Sequence, residues 1–345
     1  MTTRHMPAAP SGRLVFIGAV HEAEPALAAL FDVAAEVVEV ITVPAEDGQR
    51  PAGYVDLEPL AAAHGTPVRR CDDINDAEQV DSIRRLAPDA IVVVGWTRLL
   101  GAELLAIPGR GCIGFHASAL PRYRGRAPVN WAIIRGETQT GNTMMYLDAG
   151  VDTGDIIDQR MVPIGTDDTC AAVYARVAAA GAAMLREHLP AILDGTASRR
   201  PQGPADGEVL RKRTPAMGVT DWSRSSRCVH DWIRALTEPY PGAFTFLAGR
   251  KVMLWASDLA EDASIAGRPG QVLSCGADGV AVATADGSIR ITAMSDPGAS
   301  PEPALTWARA SGLRPRDRFD EVDRATARWA LGLGAAPIAV PTAGG

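Results

Sequence analysis

Residues 14–20 (LVFIGAV) form an apolar run without alternation, the pattern of a strand covered on both faces, and helical spacing follows over 22–31. The same signals predict strands over 37–43, 67–71, 90–95 and 112–116, and helices over 56–64 and 76–86, the second with Asp76 at its start. Strands alternating with helices predict a mostly parallel, Rossmann-like α/β sheet wound on both faces. Residues 169–193 are Ala-rich, with Val173, Val177, Met184 and Leu185 on one face, and predict a long helix interrupted near Pro190.

Periodicity is lost over 195–215, where Gly, Pro and charge accumulate, so a linker and a domain boundary near 205 are expected. After a helix over 228–236, five short runs (243–247, 252–256, 270–275, 279–284 and 288–293) end in turn residues and predict a small β-barrel. A Pro-rich link, a helix over 317–331 and an Ala/Gly/Pro tail complete the chain. The expected plan is a flexible N-terminus (1–12), an α/β domain (13–204), a linker (205–219), a barrel domain (220–296), and a helical extension with a disordered tail (297–345).

Composition narrows the function classes. The 345 residues are 47% hydrophobic and 22% charged, enough to bury a sizeable core, and the net charge of -7 disfavours nucleic acid as a partner. Five scattered cysteines without a C-x-x-C pair suggest neither a zinc site nor a disulfide framework. No apolar run approaches the ~18 residues of a membrane span and no signal region opens the chain, so a cytoplasmic protein is expected. No G-x-G-x-x-G follows the first strand, so a dinucleotide is not supported. His21 stands at that strand's exit without an evident partner and reads as surface or structural.

His116 ends an apolar run and precedes a loop rich in Pro, Arg and Gly; Asp152 lies downstream in a second Gly-rich loop, Asp148-Ala-Gly-Val-Asp-Thr-Gly-Asp155. A histidine at the end of a buried strand, with a carboxylate to orient it, can move a proton at neutral pH. These two residues alone leave a purely structural reading open.

The string around them is more specific. His-x-Ser-x-Leu-Pro-x-Tyr-Arg-Gly-Arg-Ala-Pro-x-Asn-Trp, then Gly-Glu-Thr-x-Thr-Gly-x-Thr, then Val-Asp-Thr-Gly-Asp-Ile, resembles the 10-formyltetrahydrofolate-dependent formyltransferases. Within that family the motifs look most like the sugar-nucleotide N-formyltransferases, of the UDP-4-amino-4-deoxy-L-arabinose formyltransferase type, with the methionyl-tRNA formyltransferases as more distant relatives. Asp221-Trp222 and Pro239-Tyr-Pro-Gly242 extend the likeness into the second domain, implying an OB-like barrel there.

The resemblance implies 10-formyltetrahydrofolate as formyl donor, no metal, and a small amine as acceptor, with a nucleotide-linked amino sugar first. It makes His116 the general base and Asp152 its orienting carboxylate. Arg98, Leu99, Leu100 and Arg126 match folate-contacting positions, as do Asp148, Ala149, Gly150 and Val151 around the pterin. Ser118, Tyr123, Arg124 and Asn130 are expected to face the acceptor. Tyr123-Arg-Gly-Arg126 is expected to expose guanidinium groups suited to a glutamate tail or a phosphate, whereas Trp131 reads as core. The second domain would close one side of a cleft or support a homodimer.

One position departs from the family. An Asn is expected two residues before the histidine, and this chain has Gly114. Loss of one oxyanion donor costs roughly 2.7–4 kcal/mol. A water could fill the space, a charged His116 could take over, or the chain could have left formyl transfer for folate hydrolysis, another one-carbon reaction or folate binding alone. For the acceptor, residues 208–296 hold ten Lys/Arg and ten Asp/Glu, a neutral balance that disfavours tRNA.

Overall fold

The computed structural model describes residues 11–44, 51–259 and 267–337, in two compact units. The first comprises the chain up to Gly125, Gln139–Pro163 and Val173–Val209. The second comprises Arg126–Thr138, Ile164–Ala172 and the chain from Leu210 onward.

In the first unit the order is β1 (Arg13–Gly18), α1 (Ala23–Asp32), β2 (Glu36–Thr42), α2 (Glu58–Ala63), β3 (Val68–Arg70), α3 (Ala77–Leu86), β4 (Ala90–Val94), α4 (Ala102–Leu105) and β5 (Cys112–His116). After α5 (Pro128–Ile134), which belongs to the second unit, come β6 (Gln139–Tyr146), β7 (Ile156–Pro163) and α6 (Cys170–Asp194). The strands form one sheet in the order β3-β2-β1-β4-β5-β6-β7. Pairing is parallel from β3 to β5 and antiparallel for β6 and β7.

The absence of alternation in β1 has a direct cause. Leu14 and Phe16 pack into one core with Val92 and Val94, while Val15 and Ile17 pack into another with Ile91 and Val93. Alternate residues of a strand face opposite sides, so both faces of the central strands are buried. The strand order reverses between β1 and β4, and ligands of such sheets bind where the chain leaves the C-terminal strand ends.

Asp76 stands at the N-cap of α3 as expected, although its carboxylate makes no capping hydrogen bond. One local expectation needs correction. α6 runs without interruption through Pro190, one turn from its end, because Leu189, Ile192 and Leu193 are all buried around it. Their burial offsets the missing helix hydrogen bond.

The second unit contains α5, α7 (Ser226–Leu236) and an antiparallel sheet ordered β10-β11-β12-β9-β8, with β13 beside β12. Its strands are β8 (Ala243–Leu247), β9 (Arg250–Leu259), β10 (Val272–Gly276), β11 (Gly279–Ala283), β12 (Ser288–Ser295) and β13 (Glu302–Pro303). The fold class is thus the expected one, a Rossmann-like sheet followed by a small antiparallel domain.

Beyond the sheet the chain differs from its sequence reading. The Pro-rich link contains α8 (Ala304–Ser311), which buries Trp307 and Ala308. The last helix, α9 (Arg324–Ala330), starts later than residue 317. Residues 317–320 instead lie along the 270–272 backbone after a turn at Arg316: Arg316 N–H donates to Val272 O, Val272 N–H to Asp317 O, and Phe319 N–H to Gly270 O. Asp323 then caps α9, accepting from the N–H groups of Ala325 and Thr326. The expected N-terminal and C-terminal tails lie largely outside the described residues.

Candidate active site

β5 delivers Gly114 and His116 to the same face of the sheet, two residues apart. The His116 side chain is buried, at 7% exposure. Its Nδ1 lies 3.5 Å from Asp152 Oδ1, and its Nε2 lies 2.8 Å from the Tyr123 carbonyl oxygen. A neutral ring therefore donates Nε2–H to that carbonyl and turns its Nδ1 lone pair toward the carboxylate side. Asp152 is held from its other oxygen, Oδ2, which accepts from Gly125 N–H at 2.8 Å.

Tyr123 and Asp152 both adopt left-handed backbone, with φ of 61° and 53°. For residues with a Cβ this costs on the order of 1 kcal/mol or more each and persists only where the surroundings over-determine it. Both contribute directly to the contacts of His116.

The Asp148–Asp155 loop is self-tied. Asp148 Oδ1 accepts from Gly150 N–H at 3.0 Å and from Thr153 Oγ1 at 2.7 Å, while Ala149, Gly150 and Val151 stay exposed. At Gly154 a Cβ would run into the Tyr146 carbonyl, so only glycine fits that closure. On the loop after β4, Arg98 and Leu99 are exposed and Leu100 half-buried. Asn75 pins this loop, donating from Nδ2 to Leu99 O at 3.0 Å and accepting Gly101 N–H at 2.6 Å. Leu99 and Val151 are 63% and 42% exposed, among the few large apolar side chains left open to solvent. Trp96, at the head of its loop, has its indole N–H buried without a partner among the described residues.

The space beside Gly114 is filled. A Cβ built there would overlap Leu147 Cδ2 and come within 2.9 Å of its Cγ. Leu147 follows β6, is held by its N–H to Cys112 O at 2.7 Å, and packs on the cores that include Cys112 and Met145. Of the three readings left open for Gly114, the one that needs a water in a vacated space is disfavoured, because an aliphatic side chain occupies it.

The remaining sequence candidates divide. Ser118 is buried and spends its hydroxyl on Arg122 O at 2.7 Å. Tyr123 is buried and offers His116 its carbonyl. Arg124 was expected to be exposed; it is buried, at 8%, because Gln202 Oε1 and Gly203 O accept its guanidinium donors. Arg126 is exposed and, with Asn130, belongs to the second unit. Asn130 is buried and donates to Ala235 O at 2.7 Å, and Trp131 is core as expected. His21 is an exposed residue against Gly53.

Three contributors escaped the sequence reading: Leu147, Asn75 and Gln202. Leu147 and Asn75 carry no distinguishing local pattern, and Gln202 sits in a stretch that reads as linker.

Comparison with known proteins identifies the family. The formyl transferase family model matches residues 13–189, and that for the formyl transferase C-terminal domain matches residues 212–312. The chain is 38% identical over 314 residues to the methionyl-tRNA formyltransferase of Geobacter sulfurreducens, covering 90% of this chain and 97% of that one. Among solved structures, HypX from Aquifex aeolicus in complex with tetrahydrofolic acid superposes with a TM-score of 0.65 at 19% identity, over 90% of this chain and 50% of the other. This chain thus spans about half of HypX. An N-formyltransferase from Helicobacter canadensis, in complex with folinic acid and dTDP-3-aminofucose, gives a TM-score of 0.60 at 18% identity, over 81% and 98% of the two chains. At such identities the last two share the fold alone. Two matched domain models and a relative aligned along nearly its whole length establish that this chain belongs to the formyl transferase family.

Proposed function

We propose that the chain moves a formyl group from 10-formyltetrahydrofolate to the α-amino group of an aminoacyl-tRNA, with His116 as general base and Asp152 as its orienting carboxylate. The observation that carries the acceptor is the extent of likeness to a methionyl-tRNA formyltransferase, 38% identity over 90% of the chain. This replaces the sugar-first expectation, since the sugar enzyme quoted shares 18%.

The donor supplies an activated formyl carbon. Features suited to holding it are the exposed apolar Leu99 and Val151, the exposed backbone of 149–151 and Arg98. A flat aromatic heterocycle with polar edges suits such a mixture of apolar surface and exposed backbone. The chain's own chemistry then centres on one ring. As the amine attacks the formyl carbon, its proton passes to His116 Nδ1, which gives it to N10 of the donor when the formyl–N10 bond breaks and tetrahydrofolate leaves. While it holds the proton, the ring has an N–H facing each acceptor, Tyr123 O at one side and Asp152 at the other. The carboxylate thereby stabilises the charge that proton uptake creates.

A second reading, a small amine such as an amino sugar, is favoured by the equal numbers of acidic and basic residues over 208–296. Purified protein with 10-formyltetrahydrofolate should formylate methionyl-tRNA, and His116→Ala should lower that rate by about 10²-fold or more. Formylation of a nucleotide-linked amino sugar with none of the tRNA would overturn the acceptor assignment. Formate release without any amine would overturn transfer itself.

A further inference from the structure

Residues 200–206 form no named strand or helix, yet they touch both loops that hold the His116–Asp152 contact. Arg200 and Ile156 exchange backbone hydrogen bonds of 3.0 and 2.8 Å, and Asp206 forms an isolated backbone bridge with Arg122. Between them stands Gln202. Its Oε1 accepts from Arg124 Nη2 at 2.7 Å and Nε at 3.2 Å. Its Nε2 donates to Gly154 O at 2.7 Å and to Asp152 O at 3.1 Å. A guanidinium can only donate and a carbonyl can only accept, so one orientation of the carboxamide satisfies all three partners.

From this geometry we infer that Gln202 is a positioning residue for the transfer reaction: it ties the loop carrying Tyr123 O and Gly125 N–H to the loop carrying Asp152. It thereby fixes the separation of His116 from its carboxylate. Arg124, buried beside it, is the anchor, since its remaining bond to Gly203 O at 3.0 Å stays within the same segment. The left-handed backbone of Asp152, φ 53°, is held at its side chain by Gly125 and at its carbonyl by Gln202. A carboxylate displaced by a fraction of an ångström cannot meet the ring in the same way, and misplacement by about 1 Å can cost on the order of 10²-fold in rate.

The inference rests on His116 and Asp152 being the catalytic pair, and the test separates the two ideas. Gln202→Met keeps the length and removes both the acceptor and the donors. Gln202→Glu keeps an acceptor for Arg124 but turns an oxygen toward two carbonyls. For both we expect kcat to fall about 10- to 100-fold, with KM for 10-formyltetrahydrofolate within about threefold of wild type. The pH profile of kcat should also move, because the surroundings of the His116 ring change. A residue that merely holds the fold would lower Tm and leave kcat per folded molecule and the pH profile as they were; that result overturns the inference. His116→Ala is measured alongside. If it retains full turnover, the catalytic pair is wrong; if it loses turnover while both folded Gln202 variants keep theirs, only the role of Gln202 is wrong.

Discussion

Leu147 carries the clearest lesson at the scale of a single residue. Its side chain lies where a Cβ on residue 114 would have to go, so the glycine and the leucine form a matched pair. Introducing a larger group into filled space costs about 1–3 kcal/mol. Gly114→Asn alone should therefore lower Tm by several degrees and bring no gain in turnover. With Leu147→Ala beside it, stability should largely return, and if a carboxamide donor is what the site lacks, kcat should rise by up to about 10²–10³-fold. Thermal melts and turnover of the two single variants and the double variant decide this. A stable, more active Gly114→Asn single variant would show that Leu147 moves aside freely. His116 and Asp152 were legible because their chemistry and the surrounding motif mark them. Leu147 was not, because an aliphatic residue after a strand signals only packing.

At the scale of elements, β1, β2, β4 and β5 were readable because continuous apolar runs have few other uses in a chain of this composition, whereas β6 and β7, broken by polar residues such as Asn142, Asp158 and Arg160, were not read as strands. What failed to read were places where tertiary contacts override a local signal. Pro190 predicts a break and the buried face around it sustains the helix; residues 317–320 read as helical and are instead recruited to the backbone of Gly270 and Val272. Gln202 hides in a segment whose composition says linker but whose side chain is bonded on both ends. α7 supplies a pH test. His230 on this helix is buried, and burial, with the charges of Arg227 and Arg234, lowers its pKa below the ordinary 6.5 against the opposing pull of Asp231 and Asp167. Its Nδ1 lies 3.1 Å from Ser257 Oγ. The folded state thus resists a proton that the unfolded chain accepts, so this contribution is full above about pH 6.5 and is lost as pH falls below it. Thermal melts of wild type and His230→Gln from neutral to mildly acidic pH should show a shallower decline in the variant. Parallel declines would remove His230 from the account.

On the scale of the whole molecule, the motif around His116 and the chain-wide likeness point to different acceptors, and the longer match weighs more. The second unit is not one continuous stretch, since Arg126–Thr138 and Ile164–Ala172 belong to it. Within it Arg234 donates to Gly165 O at 3.1 Å and to Asp168 O, 2.6 Å away, and Asn130 donates to Ala235 O. Residues 210–345 made alone would leave these partners unmatched. That fragment should show weak near-UV dichroism and rapid amide exchange in α7; a cooperative melt like that of the intact protein would contradict this.

Trp131 draws out what such interleaving means during synthesis. Its indole N–H donates to Arg211 O, and Arg213 lies over its ring. At about 5–20 residues per second, a ribosome delivers those arginines on the order of ten seconds after the tryptophan. For that interval a large aromatic surface waits on the nascent chain with its eventual neighbours still untranslated, which makes the α5 stretch a natural landing point for a chaperone.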